Sequence, residues 1–242
     1  MPEYALTDPA VLPFILIPIA LVLLLLLGVE AAGRRLGEPA AARRRTLLWT
    51  ALIAVTWMSG TWIAADRGLM RRWDLTPPPF ALLVAGMLFL ALCLSAGRFA
   101  ERLALGLPLW TLVAVQSFRF PLETAMHSLY EAGMMPAQMT YTGRNFDIIT
   151  GITALLLLPL VRRGRGRWLV WIWNVMGVAL LLNIMTIAML STPPVAAFGV
   201  TRLNTFVGFT PFIWLPAVMV LAALVPDIAE AEKRLLADGG VG

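Results

Sequence analysis

Residues 9–29 read PAVLPFILIPIALVLLLLLGV, an apolar run without a single charged residue. A helix that crosses the roughly 30 Å hydrocarbon core of a bilayer needs about 20 mostly apolar residues. The uncharged runs 46–65, 75–97, 168–201 and 203–226 reach that length as well. Because bilayer-exposed backbone must satisfy its own hydrogen bonds, these runs predict spanning helices and therefore a membrane protein.

The composition supports the same prediction. Of the 242 residues 60% are hydrophobic and only 14% are charged, whereas soluble domains average about 45–50% and about 25%. These values exclude a soluble enzyme, a disordered chain and a disulfide-stapled secreted module. Cys93 is the only cysteine, so the chain has no intrachain disulfide and no thiol–metal cluster. The basic balance, with a pI near 10.3, indicates lipid headgroup contact and membrane topology, not nucleic-acid binding.

Two further uncharged runs, 103–118 and 148–161, are too short to span unless neighbouring charged residues lie at membrane depth. The long run 168–201 is broken by Ser191-Thr-Pro-Pro194. We therefore predict an all-α membrane protein, a single polytopic domain over residues 1–242 with seven transmembrane helices. The predicted spans are 10–30, 46–65, 79–97, 104–132, 146–161, 168–190 and 206–226.

Lysine and arginine counts orient these spans, because short cytoplasmic loops carry an excess of both residues. The first, third and fifth loops and the C-terminal tail together hold 13 of the 19 basic residues, including Lys233 and Arg234. The opposite loops hold five, and Arg119 lies within a span. The N-terminus is therefore predicted outside and the C-terminus in the cytoplasm.

Residues 116–153, QSFRFPLETAMHSLYEAGMMPAQMTYTGRNFDIITGIT, contain most of the polar groups at predicted membrane depth. Arg119, Glu123, His127 and Glu131 recur every four residues, so they form one slanted stripe on a helix, with Tyr130 beside it. An intramembrane arginine costs roughly 2.5–3.5 kcal/mol on insertion scales and is expected to be paired in the bundle interior.

Glu123, four residues after Arg119, is the predicted partner of that arginine. Pro121 lies between them and cannot donate a hydrogen bond to the carbonyl of Ser117. We therefore expect a kink that leaves one acceptor free and opens a pocket.

The loop that follows has its own polar residues. Asn145 can cap the fifth predicted helix, and Asp147 in its first turn favours the helix dipole. Because the next uncharged run has only 14 residues, either this loop dips into the outer leaflet or the bilayer adapts by tilt and thinning. In the first case Arg144 and Asp147 are expected to close over a pocket with Glu123 and His127, while Asn183 adds polarity in the outer half.

The stretch M-T-Y-T-G-R-N-F-D-I at 139–148 resembles a motif of uncharacterised bacterial seven-helix membrane proteins. Pro211-Phe-Ile-Trp-Leu-Pro216 is similar to the last helix of the same family. The resemblance implies the same helix count and draws attention to Arg144, Asn145 and Asp147. With helical spans, a bacterial protein of this kind is expected in the cytoplasmic (inner) membrane.

Three hypotheses of function follow. The first is a small-ligand or ion-binding protein with an outward-facing polar pocket, a sensor or a transporter; the few polar groups in the inner half argue against a complete transport path. The second is a membrane enzyme with Glu123 or Asp147 as general base and His127 as acid. The third is a structural or assembly subunit of a membrane complex. The candidate site residues are Arg119, Glu123, His127, Tyr130, Arg144, Asn145, Asp147 and Asn183.

Several cofactor sites are excluded by residue type. Lys233 is the only lysine and lies in the tail, so no spanning helix can hold retinal as a Schiff base. A single histidine excludes bis-histidine haem and a histidine-rich zinc site, and no Walker A loop is present. We therefore predict no cofactor, no metal and no nucleic-acid partner, with the lipid bilayer as the partner and an enzyme as the less favoured alternative.

Overall fold

The computed structural model describes residues 3–95 and 97–224, and all regular structure in these ranges is helical. The all-α prediction is thus confirmed for this part of the chain. The helices are α1 (Pro13–Arg35), α2 (Ala40–Asp66), α3 (Pro79–Ser95), α4 (Arg98–Gly106), α5 (Leu109–Gln116), α6 (Arg119–Glu131), α7 (Ile148–Arg162), α8 (Arg167–Leu190) and α9 (Leu215–Leu224). Short 3₁₀ turns lie at Leu69–Arg71, Ala137–Met139, Val200–Arg202 and Phe206–Gly208.

Three of the described helices are long and apolar enough to cross a membrane: α1, α2 and residues Trp168–Leu190 of α8. A fourth span results if α3 and α4, bent by 57° relative to each other, are counted together. The apolar helices α7 and α9 are shorter. Among the described residues, three or at most four of the seven predicted spans thus have the length and composition of a membrane-spanning helix, because the other predicted places hold short or broken helices.

The predicted span 104–132 is the clearest correction, since it is not one helix. α4 ends at Gly106, and Leu107 and Pro108 have extended backbone with ψ angles of 142° and 147°. The sequence reason is Pro108, which disfavours helical backbone at the residue before it and lacks an N–H of its own.

A second break in the same region, at Ser117 and Phe118, separates α5 from α6. The expected kink at Pro121 is wrong, because Pro121 lies in the first turn of α6, where a missing N–H costs little. The carbonyl of Ser117 is not free either, since it accepts a hydrogen bond from the Phe120 N–H at 3.1 Å.

The last predicted span, 206–226, also starts later than expected. α9 begins at Leu215, after the turn Phe206–Gly208 and the cis peptide Thr210–Pro211, and its first part, Leu215–Val220, is π-helical. Residues 225 and 226 lie outside the described residues, as do Lys233 and Arg234 of the basic tail.

Contacts between loops gather basic residues at one end of the bundle. Arg102 of α4 binds Glu38, between α1 and α2, at 2.7 Å. The guanidinium of Arg162, at the end of α7, lies 4.5 Å from the ring centre of Trp110, at the start of α5. The α1–α2 turn therefore lies beside α4, and the end of α7 lies beside the start of α5.

The outer surface of the bundle is apolar. In the most apolar 18-residue stretch of α2, only 6% is buried within the protein, against 22% for the corresponding stretch of α1 and 28% for that of α8. Large side chains such as Leu27, Phe89 and Leu156 are between 66% and 73% exposed. A continuous apolar exterior of this kind is typical of a surface covered by lipid or by another protein, in agreement with the three membrane-spanning candidates.

Candidate functional site

Arg119 is the largest fully buried side chain of the described residues, with 0% of its surface exposed. Its Nη1 donates to Asp147 Oδ1 at 2.9 Å and to the carbonyl of Gly177 at 3.1 Å. Its Nε donates to Gln116 Oε1 at 3.0 Å, and its Nη2 lies 3.5 Å from the carbonyl of Ala223. Because a buried charge is tolerated only with a counter-charge and a full set of acceptors, this arrangement stabilises the cation. One guanidinium thus connects α5, α8, α9 and the start of α7.

The break between α5 and α6 makes Arg119 the first residue of α6, facing the middle of the bundle. Space for its side chain comes from Gly177, where a Cβ would lie 3.0 Å from Thr150 Cγ2 and 3.6 Å from Arg119 Nη1. At 1.5 Å per residue, Gly177 is about 15 Å along α8 from Arg167. The guanidinium is therefore near the middle of the longest of the surrounding helices.

A second buried pair extends the network. Asn145 Nδ2 lies 2.7 Å from both carboxylate oxygens of Glu123, while Asn145 Oδ1 accepts from the Asp147 N–H at 3.0 Å. The prediction that Asn145 caps α7 is wrong: Asp147 is the residue at the cap position, with no side-chain cap bond, and Asn145 instead closes a local turn just before the helix. The predicted Arg119–Glu123 pair is wrong, because among the described residues Arg119 forms its ion pair with Asp147. We refer to Gln116, Arg119, Glu123, Asn145, Asp147 and Thr150 as the buried polar network.

The polar atoms of Asp147 have partners on two elements. Oδ1 accepts from Arg119 and, at 3.2 Å, from Thr150 Oγ1, one turn into α7. Asp147 and Glu123 are only 3% and 2% exposed. A carboxylate in either position can act as a base or bind a ligand only if the surrounding helices separate.

The chain between the 3₁₀ turn and α7, residues 138–147, runs along α8 from the C-terminal end of that helix to its middle. Two direct contacts define this path: Gln138 Nε2 donates to Ser191 Oγ at 3.0 Å, and Asn183 Nδ2 donates to the carbonyl of Arg144 at 2.8 Å. A third contact is indirect, since the guanidinium of Arg119 binds both Asp147 and the carbonyl of Gly177. The 14 residues from Gly177 to Ser191 correspond to about 21 Å. We call residues 138–147 the descending segment, because it runs from the C-terminal end of α8 towards the middle of that helix.

The descending segment needs glycine where it turns. A Cβ at Gly143 would overlap the backbone of Ala137 and Gln138. A larger residue would force residue 143 away from the 3₁₀ turn Ala137–Met139, so glycine allows the chain to pass directly against that turn.

His127 lies one turn after Glu123 on α6 and is not part of the buried polar network. Its side chain is 21% exposed, and its Nε2 is 3.5 Å from a carboxylate oxygen of Glu131. Its ring centre is 4.6 Å from that of Tyr141 and 5.9 Å from that of Tyr130. Its Nδ1 is buried without a hydrogen-bond partner. The predicted stripe on α6 is therefore divided. Arg119 and Glu123, in its N-terminal half, are buried, whereas His127 and Glu131, in its C-terminal half, are partly or largely exposed.

Arg144 and Asn183 are placed differently from the other candidates. The exposed Arg144 guanidinium lies 5.2 Å from the ring centre of Phe198, whereas Asp147, three residues later, is buried. The two side chains do not close over one pocket. Asn183 supports the backbone of Arg144 through the hydrogen bond to its carbonyl.

Sequence reasoning missed the carbonyl groups of Gly177 and Ala223, which have no side-chain signal at all. Thr150 was detectable, because a threonine three residues after an aspartate at a helix start is a common local hydrogen-bond pattern. In the described part of the chain no three His, Cys, Asp or Glu side chains are grouped so that they could hold a metal ion.

Comparison with known families gives one result. The model of a family described as a domain of unknown function (DUF8737) matches residues 78–229, more than half of the chain. The chain therefore belongs to that family, and the match includes α3 to α9 and every residue of the buried polar network. No curated protein and no solved structure matches the chain.

Proposed function

We propose that this member of the DUF8737 family is a multi-pass protein of the bacterial cytoplasmic membrane and a structural or assembly subunit of a membrane complex. The observation that carries the proposal is the Arg119 guanidinium, which is fully buried and bound by groups from four parts of the chain. In this proposal the buried polar network holds helices together and does not bind a ligand.

The contrast with a binding site supports this choice. Ligand sites present a few convergent polar groups to a cavity. Here Asn145 uses its amide on Glu123 and its oxygen on Asp147, and Asp147 is bound by Arg119. Polar groups that satisfy each other in this way act as interhelical connections in membrane proteins.

The topology that we propose keeps seven membrane segments, with the N-terminus outside and the C-terminus in the cytoplasm. α1, α2 and α8 cross as single helices. α3 with α4 and α5 with α6 form broken segments, and α7 and α9 are short ones. The descending segment then enters the membrane from the outer side, where non-helical backbone is tolerated because protein surrounds it.

A second candidate function concerns the outer end of α6. His127 has an unpaired Nδ1 and lies among Tyr130, Tyr141 and Glu131. These groups offer hydrogen bonds, aromatic faces and one carboxylate to a small polar ligand or ion. The ligand-binding hypothesis is therefore better supported at His127 than at Glu123 or Asp147, and an enzymatic role for the buried carboxylates has the least support.

The proposal is tested with Arg119→Gln, His127→Ala and, as a matched control, Arg163→Gln on the exposed α7–α8 loop. Each protein is extracted in a mild detergent, and its thermal midpoint and the size of its complex on a native gel are measured. We expect Arg119→Gln to lower the midpoint and to disperse a complex larger than one chain, while the other two variants behave as the unmodified protein. A lone chain in the unmodified sample would overturn the assembly role, and an unchanged midpoint for Arg119→Gln would overturn the structural role of the network.

A further inference from the structure

The basic residues around the α1–α2 turn differ in whether they have a carboxylate partner. Arg34 and Arg43 both bind Glu30, at 2.7 Å and 3.3 Å. Arg102 binds Glu38 at 2.7 Å. The two carboxylates nearest to this turn are therefore already engaged.

Arg44 and Arg45 are the next two residues of α2, and both are exposed. Among the residues that the structure describes, neither has an ion-pair partner. Both arginines line the same groove. Without an ion-pair partner among the described residues they form a local positive site, which fits a phosphate because a guanidinium can donate two parallel hydrogen bonds.

An apolar stripe starts directly at these arginines. Arg44, Arg45, Leu48, Trp49 and Leu52 are spaced by three and four residues, so they share one face of α2. They line an open groove of about 510 Å³. Leu48, Trp49 and Leu52 are each more than half exposed.

The same face continues towards the other end of α2. A second groove of about 500 Å³ shares Leu52 with the first and continues past Ile53, Thr56, Trp57 and Gly60. From Arg45 to Thr56 the rise is about 16 Å at 1.5 Å per residue. One leaflet of the hydrocarbon core is about 15 Å thick, so the stripe below the arginines has the length of an acyl chain.

We propose that this face of α2 binds an anionic diacyl phospholipid, with the phosphate on Arg44 and Arg45 and one acyl chain along Leu48, Trp49 and Leu52. The inference rests on the membrane location under the proposed function. Charge complementarity selects the occupant: an apolar partner helix would cover the stripe but would leave Arg44 and Arg45 without a counter-charge. Trp49 lies next to the arginines, at the headgroup level where tryptophan is enriched.

The test uses the full chain purified in detergent and equimolar dioleoyl phosphatidylglycerol and dioleoyl phosphatidylcholine as probes. Native mass spectrometry gives the ratio of the two lipids retained by the protein. We expect the unmodified chain to prefer phosphatidylglycerol, and the double variant Arg44→Gln/Arg45→Gln to lower that preference roughly tenfold or more. The matched control, Arg163→Gln/Arg165→Gln, removes the same charge from the α7–α8 loop and is expected to keep most of the preference.

A further variant tests the acyl-chain stripe. Leu52→Asn puts a polar amide into the groove and is expected to lower the retention of both lipids, without changing their ratio. Unchanged retention in Leu52→Asn would overturn the placement of the acyl chain. Equal retention of the two lipids by the unmodified chain, or equal losses in the two double variants, would overturn the lipid site.

Carbonate extraction of membranes separates this inference from the proposal on which it rests. A chain that carbonate removes is not an integral membrane protein, so both proposals fail. If the chain stays in the membrane but shows no preference for phosphatidylglycerol, only the lipid inference fails.

Discussion

The carboxylate of Asp147 lies 2.9 Å from the guanidinium of Arg119, although the two residues are 28 positions apart and all of α6 lies between them. The pair closes a loop that contains α6, the 3₁₀ turn and the descending segment. This part of the chain therefore folds back on itself at the level where α5, α8 and α9 also meet.

Arg119→Gln is expected to destabilise the protein by about 3–5 kcal/mol, because it leaves the buried Asp147 without its counter-charge. The double variant Arg119→Gln/Asp147→Asn removes both charges and should be more stable than Arg119→Gln alone. Thermal unfolding in detergent, followed by tryptophan fluorescence, measures both effects. A double variant less stable than the single one would contradict the idea that the unpaired charge is the main cost.

Asn145→Asp places a third carboxyl group against Glu123 and Asp147 and removes both amide donors. We expect a larger loss of stability from this variant than from Glu123→Gln, which keeps one oxygen for Asn145 Nδ2. The same thermal assay compares the two variants. Equal midpoints would show that the 2.7 Å contacts between Asn145 and Glu123 contribute little to the folded state.

Gly151→Ala is expected to cost about 1–3 kcal/mol, because overpacking a tight contact forces backbone shifts. A Cβ at Gly151 would overlap the Phe120 backbone where α6 and α7 meet. Gly86→Ala is the matched control, since Gly86 also lies in a helix, α3, but has nothing within 4 Å of the added Cβ. The control should be neutral or slightly stabilising because alanine favours helix; similar losses in both variants would point to a general intolerance of substitution.

The depth of the descending segment can be measured by cysteine labelling in a Cys93→Ser background. Phe146 is 49% exposed on the protein surface, yet it precedes Asp147 at the level of Gly177. If that level lies within the bilayer, Phe146→Cys should resist a membrane-impermeant maleimide from both sides. Glu131→Cys should react from the outside and Arg165→Cys only after permeabilisation. Fast labelling of Phe146→Cys from outside would place the segment in water.

Much of the fold could be predicted from where charges interrupt apolar runs. The runs behind α1, α2 and α8 are long enough that no alternative fits, and these helices are the ones that meet the requirements for spanning. Prediction failed where breaks are caused by residues that are apolar themselves. Pro108 separates α4 from α5 without adding a charge, so the charge pattern predicts one helix over residues 104–132, where the structure has parts of three.

The candidate site was only partly predictable. The polar stripe on α6 follows from a spacing of four, whereas the cap position of α7 is taken by Asp147 and not by Asn145, because the helix begins later than the apolar pattern indicates. The ion-pair partner of Arg119 could not be predicted. Glu123 is the nearest carboxylate in sequence, whereas Asp147 comes close to Arg119 only after the chain turns at Gly143. Pairing across a turn depends on tertiary packing, and a single sequence contains no local signal for it.

The order of synthesis gives the Arg119 contacts a further consequence. Of its partners among residues 3–95 and 97–224, Gln116 precedes it; Asp147 follows 28 residues later, Gly177 58 and Ala223 104 residues later. At about 5–20 residues per second, the last of these groups is made roughly 5–20 s after Arg119. Until then the guanidinium can have only part of its final set of hydrogen bonds, first with Gln116 and later with Asp147 and Gly177. The final burial of α6 is therefore a late step of biogenesis, and it has to wait until α8 and α9 have been translated.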